Sequence, residues 1–117
     1  MTAGWKLDPA ERAALLAVFR PRYDRLVADH VTCKPDPVGG LQPVEADIVG
    51  RADDDAGVEA LIVEIAGSPD RPDGSTWHVT WSLGEGREAK ESNAVIAEHG
   101  WKAVGPYALR LTPATWP

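Results

Sequence analysis

Two four-residue segments share one pattern of His, apolar, Thr, apolar: His30-Val31-Thr32-Cys33 and His78-Val79-Thr80-Trp81. Successive side chains of a strand point to opposite faces. Each segment therefore reads as a half-buried strand. His30 and Thr32 share one face, with Val31 and Cys33 behind them. His78 and Thr80 share another, with Ser82 beside them, and Trp77, Val79 and Trp81 point into the core. A chain built this way must contain sheet, and it must place two imidazoles and two hydroxyls on polar faces of that sheet.

The remaining chain divides at its Pro and Gly residues. Asp8-Pro9-Ala10-Glu11 starts a helix, with Asp8 as cap, Pro9 at the first helical position and Glu11 able to close a capping box. Leu15, Leu16 and Phe19 form its apolar stripe, and Pro21 ends it. The reading of 23–27 is open between a helical turn and an extended lead-in. Residues 29–34 predict a strand, stopped by Pro35-Asp36-Pro37 and Gly39-Gly40. Segments 44–52 and 58–66 predict a hairpin around a solvated tip at Asp53-Asp54-Asp55. Residues 68–75 read as a loop, 76–83 as a strand and 84–86 as a turn. Residues 89–99 read as a helix with Gly100 at its C-cap. Residues 107–111 form a last strand, and 112–117 a tail.

Length sets one domain over 1–117, since 117 residues bury about two thirds of their unfolded surface around one core. With 44% apolar and 26% charged residues the chain is globular, not disordered. Nothing is apolar for long enough to cross a membrane, and Met1–Asp8 lacks the features of a signal peptide. One cysteine, Cys33, excludes an internal disulfide. A cytoplasmic location is expected. The net charge of -6 disfavours duplex DNA or long RNA and leaves room for a small anion held by local donors.

Two imidazoles facing one cleft suit acid–base chemistry, because neutral His accepts a proton and charged His gives one near pH 7. Displacement at phosphorus needs both: a base for water and an acid for the leaving alkoxide. Threonine hydroxyls can donate to non-bridging oxygens. This chemistry calls for no metal and no cofactor.

On these residues the chain resembles the two-histidine (2H) phosphoesterase superfamily, marked by paired His-x-Thr-x motifs, one in each half of a small α+β domain. That superfamily includes RNA 2′,3′-cyclic phosphodiesterases, proteins called 2′-5′ RNA ligases, and the cyclic phosphodiesterase domain of tRNA ligases. The stretch Gly86-Arg87-Glu88-Ala89-Lys90-Glu91-Ser92-Asn93 is similar to a segment of some compact members. The resemblance implies an α+β fold of two pseudo-symmetric antiparallel-sheet lobes, helices outside, around a central groove. It implies His30 and His78 as catalytic groups and Thr32 and Thr80 as phosphate binders. Lys34, Lys90, Ser92 and Asn93 are further candidates for substrate contact. The expected substrate is a nucleotide or RNA terminus with a 2′,3′-cyclic phosphate. A hydrolase of cyclic di- or oligonucleotide signals and a non-catalytic module for RNA ends or nucleotides are the alternatives.

Other readings compete residue by residue. His30 and His78 could be structural. His30, Cys33, His78 and His99 match no common zinc spacing. His99 sits at a helix end, where it complements the dipole. Cys33 is expected in the core. Trp5, Trp101 and Trp116 lie near turns or termini, where they either plug the core or stack on a base.

Overall fold

The protein is described by a computed structural model over residues 1–37 and 39–117. Its elements are β1 (Thr2–Leu7), α1 (Pro9–Val18), β2 (Arg25–Leu26), β3 (His30–Thr32), β4 (Val44–Asp53), β5 (Val58–Ile65), β6 (His78–Leu83), a 3-10 turn (Ala89–Glu91), α2 (Ser92–His99) and β7 (Lys102–Trp116). All the ladders are antiparallel. Among the described residues no helix is long and apolar enough to cross a membrane.

The two-lobed arrangement expected from the resemblance is not what the chain forms. The strand order is β2-β6-β3-β1-β7-β4-β5, and β5 pairs back onto β6. Six strands thus close into a barrel, while the short β2 extends β3 along the same edge of β6. Closure satisfies the backbone groups of strands that would otherwise be edges. One continuous sheet replaces two lobes and the groove between them. The two motifs are not in separate halves; they lie on neighbouring strands.

Alternation builds the interior. Trp5 and Leu7, Val31 and Cys33, Ala46 and Ile48, Leu61 and Val63, Trp77, Val79 and Trp81, and Leu109 and Leu111 form one buried cluster. Trp5 meets Trp77 edge-on, with ring centroids 5.5 Å apart. The helix α1 is not an outer decoration, because Leu15 and Phe19 join this same cluster. Asp8 caps α1 through the Glu11 amide at 3.0 Å. The reciprocal half of the expected capping box does not form. The Glu11 carboxylate accepts the Arg110 amide instead, at 2.5 Å. On the outer face, Val95 and Ile96 of α2 pack on Val58, Leu83, Ala60 and Ile62. The Gly100 amide closes α2 on the Ile96 carbonyl at 2.9 Å, with Gly100 at φ 68°.

The N-terminus and the supposed tail are the main departures. Thr2–Leu7 is a strand, and it pairs with Leu111–Trp116, so β7 runs from Lys102 to Trp116. β4 takes the first part of β7 and β1 the last. Gly105 and Pro106 fall at a register shift between β4 and β7, where a residue without a ladder donor is tolerated. The hairpin tip is tied down rather than free. Asp53 accepts the Tyr23 hydroxyl at 2.7 Å, and Asp54 accepts the Ala56 and Val58 amides at 2.9 and 3.0 Å.

Candidate active site

Val31 of β3 stands opposite Val79 of β6. Antiparallel pairing at that point sets His30 beside Thr80 and Thr32 beside His78. The valines face the core, so all four polar side chains face outward from the barrel. The 3-10 turn, the start of α2 and the 68–75 loop wall this face. His78 and Thr80 are consequently buried, although they lie on the outside of the sheet. The result is a cavity of about 210 Å³ lined by His30, Thr32, Lys34, His78, Thr80, Lys90 and Asn93, together with Thr2, Arg71, Ala89 and Trp116.

Each histidine is held through Nδ1. His78 Nδ1 lies 2.8 Å from the Thr76 carbonyl oxygen, which can only accept. Nδ1 therefore carries the proton, and Nε2 is the nitrogen left for a ligand. Burial pushes the His78 pKa below the ordinary imidazole value. The Thr76 carbonyl opposes this, while the positive charges of Arg71 and His30 add to it. His30 Nδ1 lies 3.1 Å from Asp29 Oδ2. The same carboxylate pairs with Lys6. Burial works against the Asp29 carboxylate, but Lys6 and His30 hold its pKa below the usual carboxylate value. The Trp116 ring sits against His30 at 4.3 Å between centroids.

The two threonines are not equivalent. Thr80 Oγ1 lies 2.8 Å from Ser92 Oγ and donates to the Ala89 carbonyl at 3.3 Å. Its hydroxyl thus fastens the 3-10 turn and α2 to the sheet. Ser92 is fully buried behind it and is not on the cavity wall. Thr32 lines the cavity half-buried. Lys90 is exposed at the rim and pairs with Glu88 at 3.1 Å.

Arg71 is the residue that the sequence did not single out. Its side chain is only 4% exposed. Nε donates to Ser75 Oγ at 2.7 Å and to Asp73 at 3.0 Å, Nη2 donates to Asn93 Oδ1 at 3.0 Å, and Nη1 reaches the Thr32 carbonyl at 3.4 Å. Ser75 and Arg71 in turn hold the Asp73 pKa far below the usual carboxylate range. The one local signal is Asp73 and Ser75 following closely in a Pro- and Gly-rich loop. Such a loop is built to fix a side chain.

Electrostatically the cavity opposes the rest of the chain. Lys34, Arg71 and Lys90 line it, and among the described residues no Asp or Glu does. The whole chain carries a net charge of -6. Among the described residues no three His, Cys, Asp or Glu side chains gather as metal ligands. His99 lies at the far end of α2 and lines a different cavity. Cys33 is buried in the core. No family model, curated protein or solved structure matches this chain.

Proposed function

We propose that the protein is a two-histidine phosphodiesterase that hydrolyses a 2′,3′-cyclic phosphate on a nucleotide or RNA end. One observation carries this reading: paired His-x-Thr faces meet Lys34, Arg71 and Lys90 in a cavity whose wall, among the described residues, holds no Asp or Glu, in an otherwise acidic chain. Such a cavity favours an anion, and two imidazoles beside it supply both proton transfers that ester cleavage needs. The support comes from the motif chemistry and the site, not from a two-lobed fold.

The roles follow from the surroundings of each ring. His78, kept neutral by burial and bearing its proton on Nδ1, is the base. Its Nε2 removes a proton from water as the water oxygen bonds to phosphorus. His30, facing the Asp29 carboxylate, is the acid. It gives its proton to the ribose oxygen as the P–O bond to that oxygen breaks. One water is consumed and one phosphomonoester forms. The histidines end with exchanged protonation states, which solvent resets. Arg71 and Thr32 face the non-bridging oxygens and stabilise their charge.

The test is turnover of adenosine 2′,3′-cyclic phosphate in EDTA, with chromatography that resolves the two monophosphate isomers. Wild type converts it, while His30→Ala and His78→Ala each lose about a hundred- to ten-thousandfold in rate. Tight binding without conversion, unchanged in both variants, would point to a binding module.

A further inference from the structure

Two further cavities follow the candidate active-site cavity in series, each sharing wall residues with the one before it. Asn93 also lines a second cavity of about 390 Å³, shared with Gly74, Ile96 and Trp101. Gly100 and Trp101 line both this second cavity and a third of about 550 Å³. The three follow α2 from its start at Ser92 to its end at His99. Asn93 and Gly100 are seven residues apart, which is about 10 Å along a helix axis. At about 3.4 Å per stacked nucleotide, that span takes roughly three nucleotides.

The far end offers a platform for a base, with Lys102 as the cation left for a phosphate. Trp101 is 42% exposed, among the few large apolar side chains left to solvent. Its indole rests on the backbone at Gly50, where a Cβ would fall 2.1 Å from Trp101 Cδ1. Glycine at that position is therefore what seats the ring. Arg22, Arg51 and Lys102 line the same cavity. Asp53 and Asp55 also line this cavity and together take up the charge of Arg22. Arg51 pairs with the buried Glu59, and Lys102 makes no ion pair among the described residues. An exposed aromatic face with a lysine in the same cavity suits a base of a single strand and its phosphate.

Resting on the phosphodiesterase reading, we infer that the substrate is a single-stranded oligoribonucleotide whose terminal phosphate enters the catalytic cavity. Its 5′ side follows α2, and a base about three nucleotides away stacks on Trp101. Trp101 is thus a specificity-determining residue remote from the reaction. The probe is a tetranucleotide ending in a 3′-phosphate, compared with a nucleoside 3′-monophosphate by equilibrium binding. The tetranucleotide binds wild type about five- to a hundredfold more tightly, the range one stacked base supplies. Trp101→Ala removes that gain, Trp101→Phe keeps most of it, and none of these changes alters binding of the monophosphate. Equal affinity for the two probes, or a gain indifferent to Trp101, overturns the inference whether or not a cyclic phosphate is cleaved. A Trp101-dependent gain with no cleavage of cyclic-phosphate mono- or tetranucleotide upholds the groove and overturns the hydrolase reading instead.

Discussion

His78 Nδ1 donates to the carbonyl of Thr76, two residues earlier in its own chain, at 2.8 Å. This bond fixes the ring by its backbone and leaves Nε2 bare while the imidazole is neutral. Burial, first, and the nearby positive charges favour that neutral form. A base must be neutral to act, so activity rises as pH rises through the His78 pKa. The acidic limb of kcat/KM on adenosine 2′,3′-cyclic phosphate should therefore have its midpoint below about 6.5, the ordinary imidazole value. A midpoint above that value would contradict the assignment of His78 as base.

The same shift links to stability. The folded pKa lies below the unfolded one, so between the two the unfolded chain binds the extra proton. The contribution is fully present above about pH 6.5 and is lost as pH falls toward the folded value. Urea unfolding between pH 5 and 8 should show wild type gaining more stability with rising pH than His78→Gln does. Parallel curves would remove His78 as the source.

Thr32 and Thr80 occupy matching places in the two motifs but differ in their bonds. Thr80→Ala would strip a partner from the buried Ser92 hydroxyl, at a cost of about 1–3 kcal/mol. Thr32→Ala should leave the unfolding midpoint nearly unchanged and lower kcat/KM. A double-mutant cycle of Thr80→Ala with Ser92→Ala should show coupling, since the two hydroxyls share one bond. Additive effects would mean that the Thr80 hydroxyl is not the fastening for α2.

Arg71 joins four groups from three parts of the chain: the 68–75 loop, β3 and α2. Arg71→Lys keeps the charge but not the fork, so it cannot reach Asp73, Ser75, Thr32 and Asn93 together. We expect a loss of about 1.5–3 kcal/mol for each charge-assisted bond that is not re-formed. A raised KM should accompany a modest change in kcat. Unchanged KM in a stable Arg71→Lys variant would remove Arg71 from phosphate binding.

Much of this site was legible because it depends on period-two alternation. Alternation alone places His30 with Thr32, and His78 with Thr80, on polar strand faces. The helix start at Asp8 and the stop at Gly100 were legible from their capping residues, which also act locally. Barrel closure was not, because it depends on pairings between distant segments, Thr2 with Trp116 and Ile62 with His78. The strands concerned hide their period: β1 carries Gly4, and β7 carries Pro106 and Pro113 and is exposed over much of its length. Arg71 is not legible in the sequence, because its burial arises only when the loop folds against β3 and α2. Ser92 is a candidate substrate contact from its place at a helix start, but its hydroxyl bonds Thr80 and is fully buried, a contact that local sequence does not reveal.

Gly4 is the position where fold and site meet most tightly. It pairs with Thr32 across β1 and β3. A Cβ there would lie 2.1 Å from the Val31 carbonyl oxygen and 2.9 Å from Trp116 Cη2. The carbonyl is backbone and cannot yield without opening the ladder beside His30. Trp116, which packs on His30, would be displaced as well. Gly4→Ala should therefore cost about 1–3 kcal/mol, the range for overpacking, and lower kcat along with it. Trp116→Ala relieves only the side-chain contact. In the double variant it should recover little of the lost stability, because the Val31 carbonyl still blocks the new methyl group. Urea midpoints of the two single variants and the double variant decide the matter. Full recovery in the double variant would show that the indole, not the strand backbone, is what requires glycine at this position.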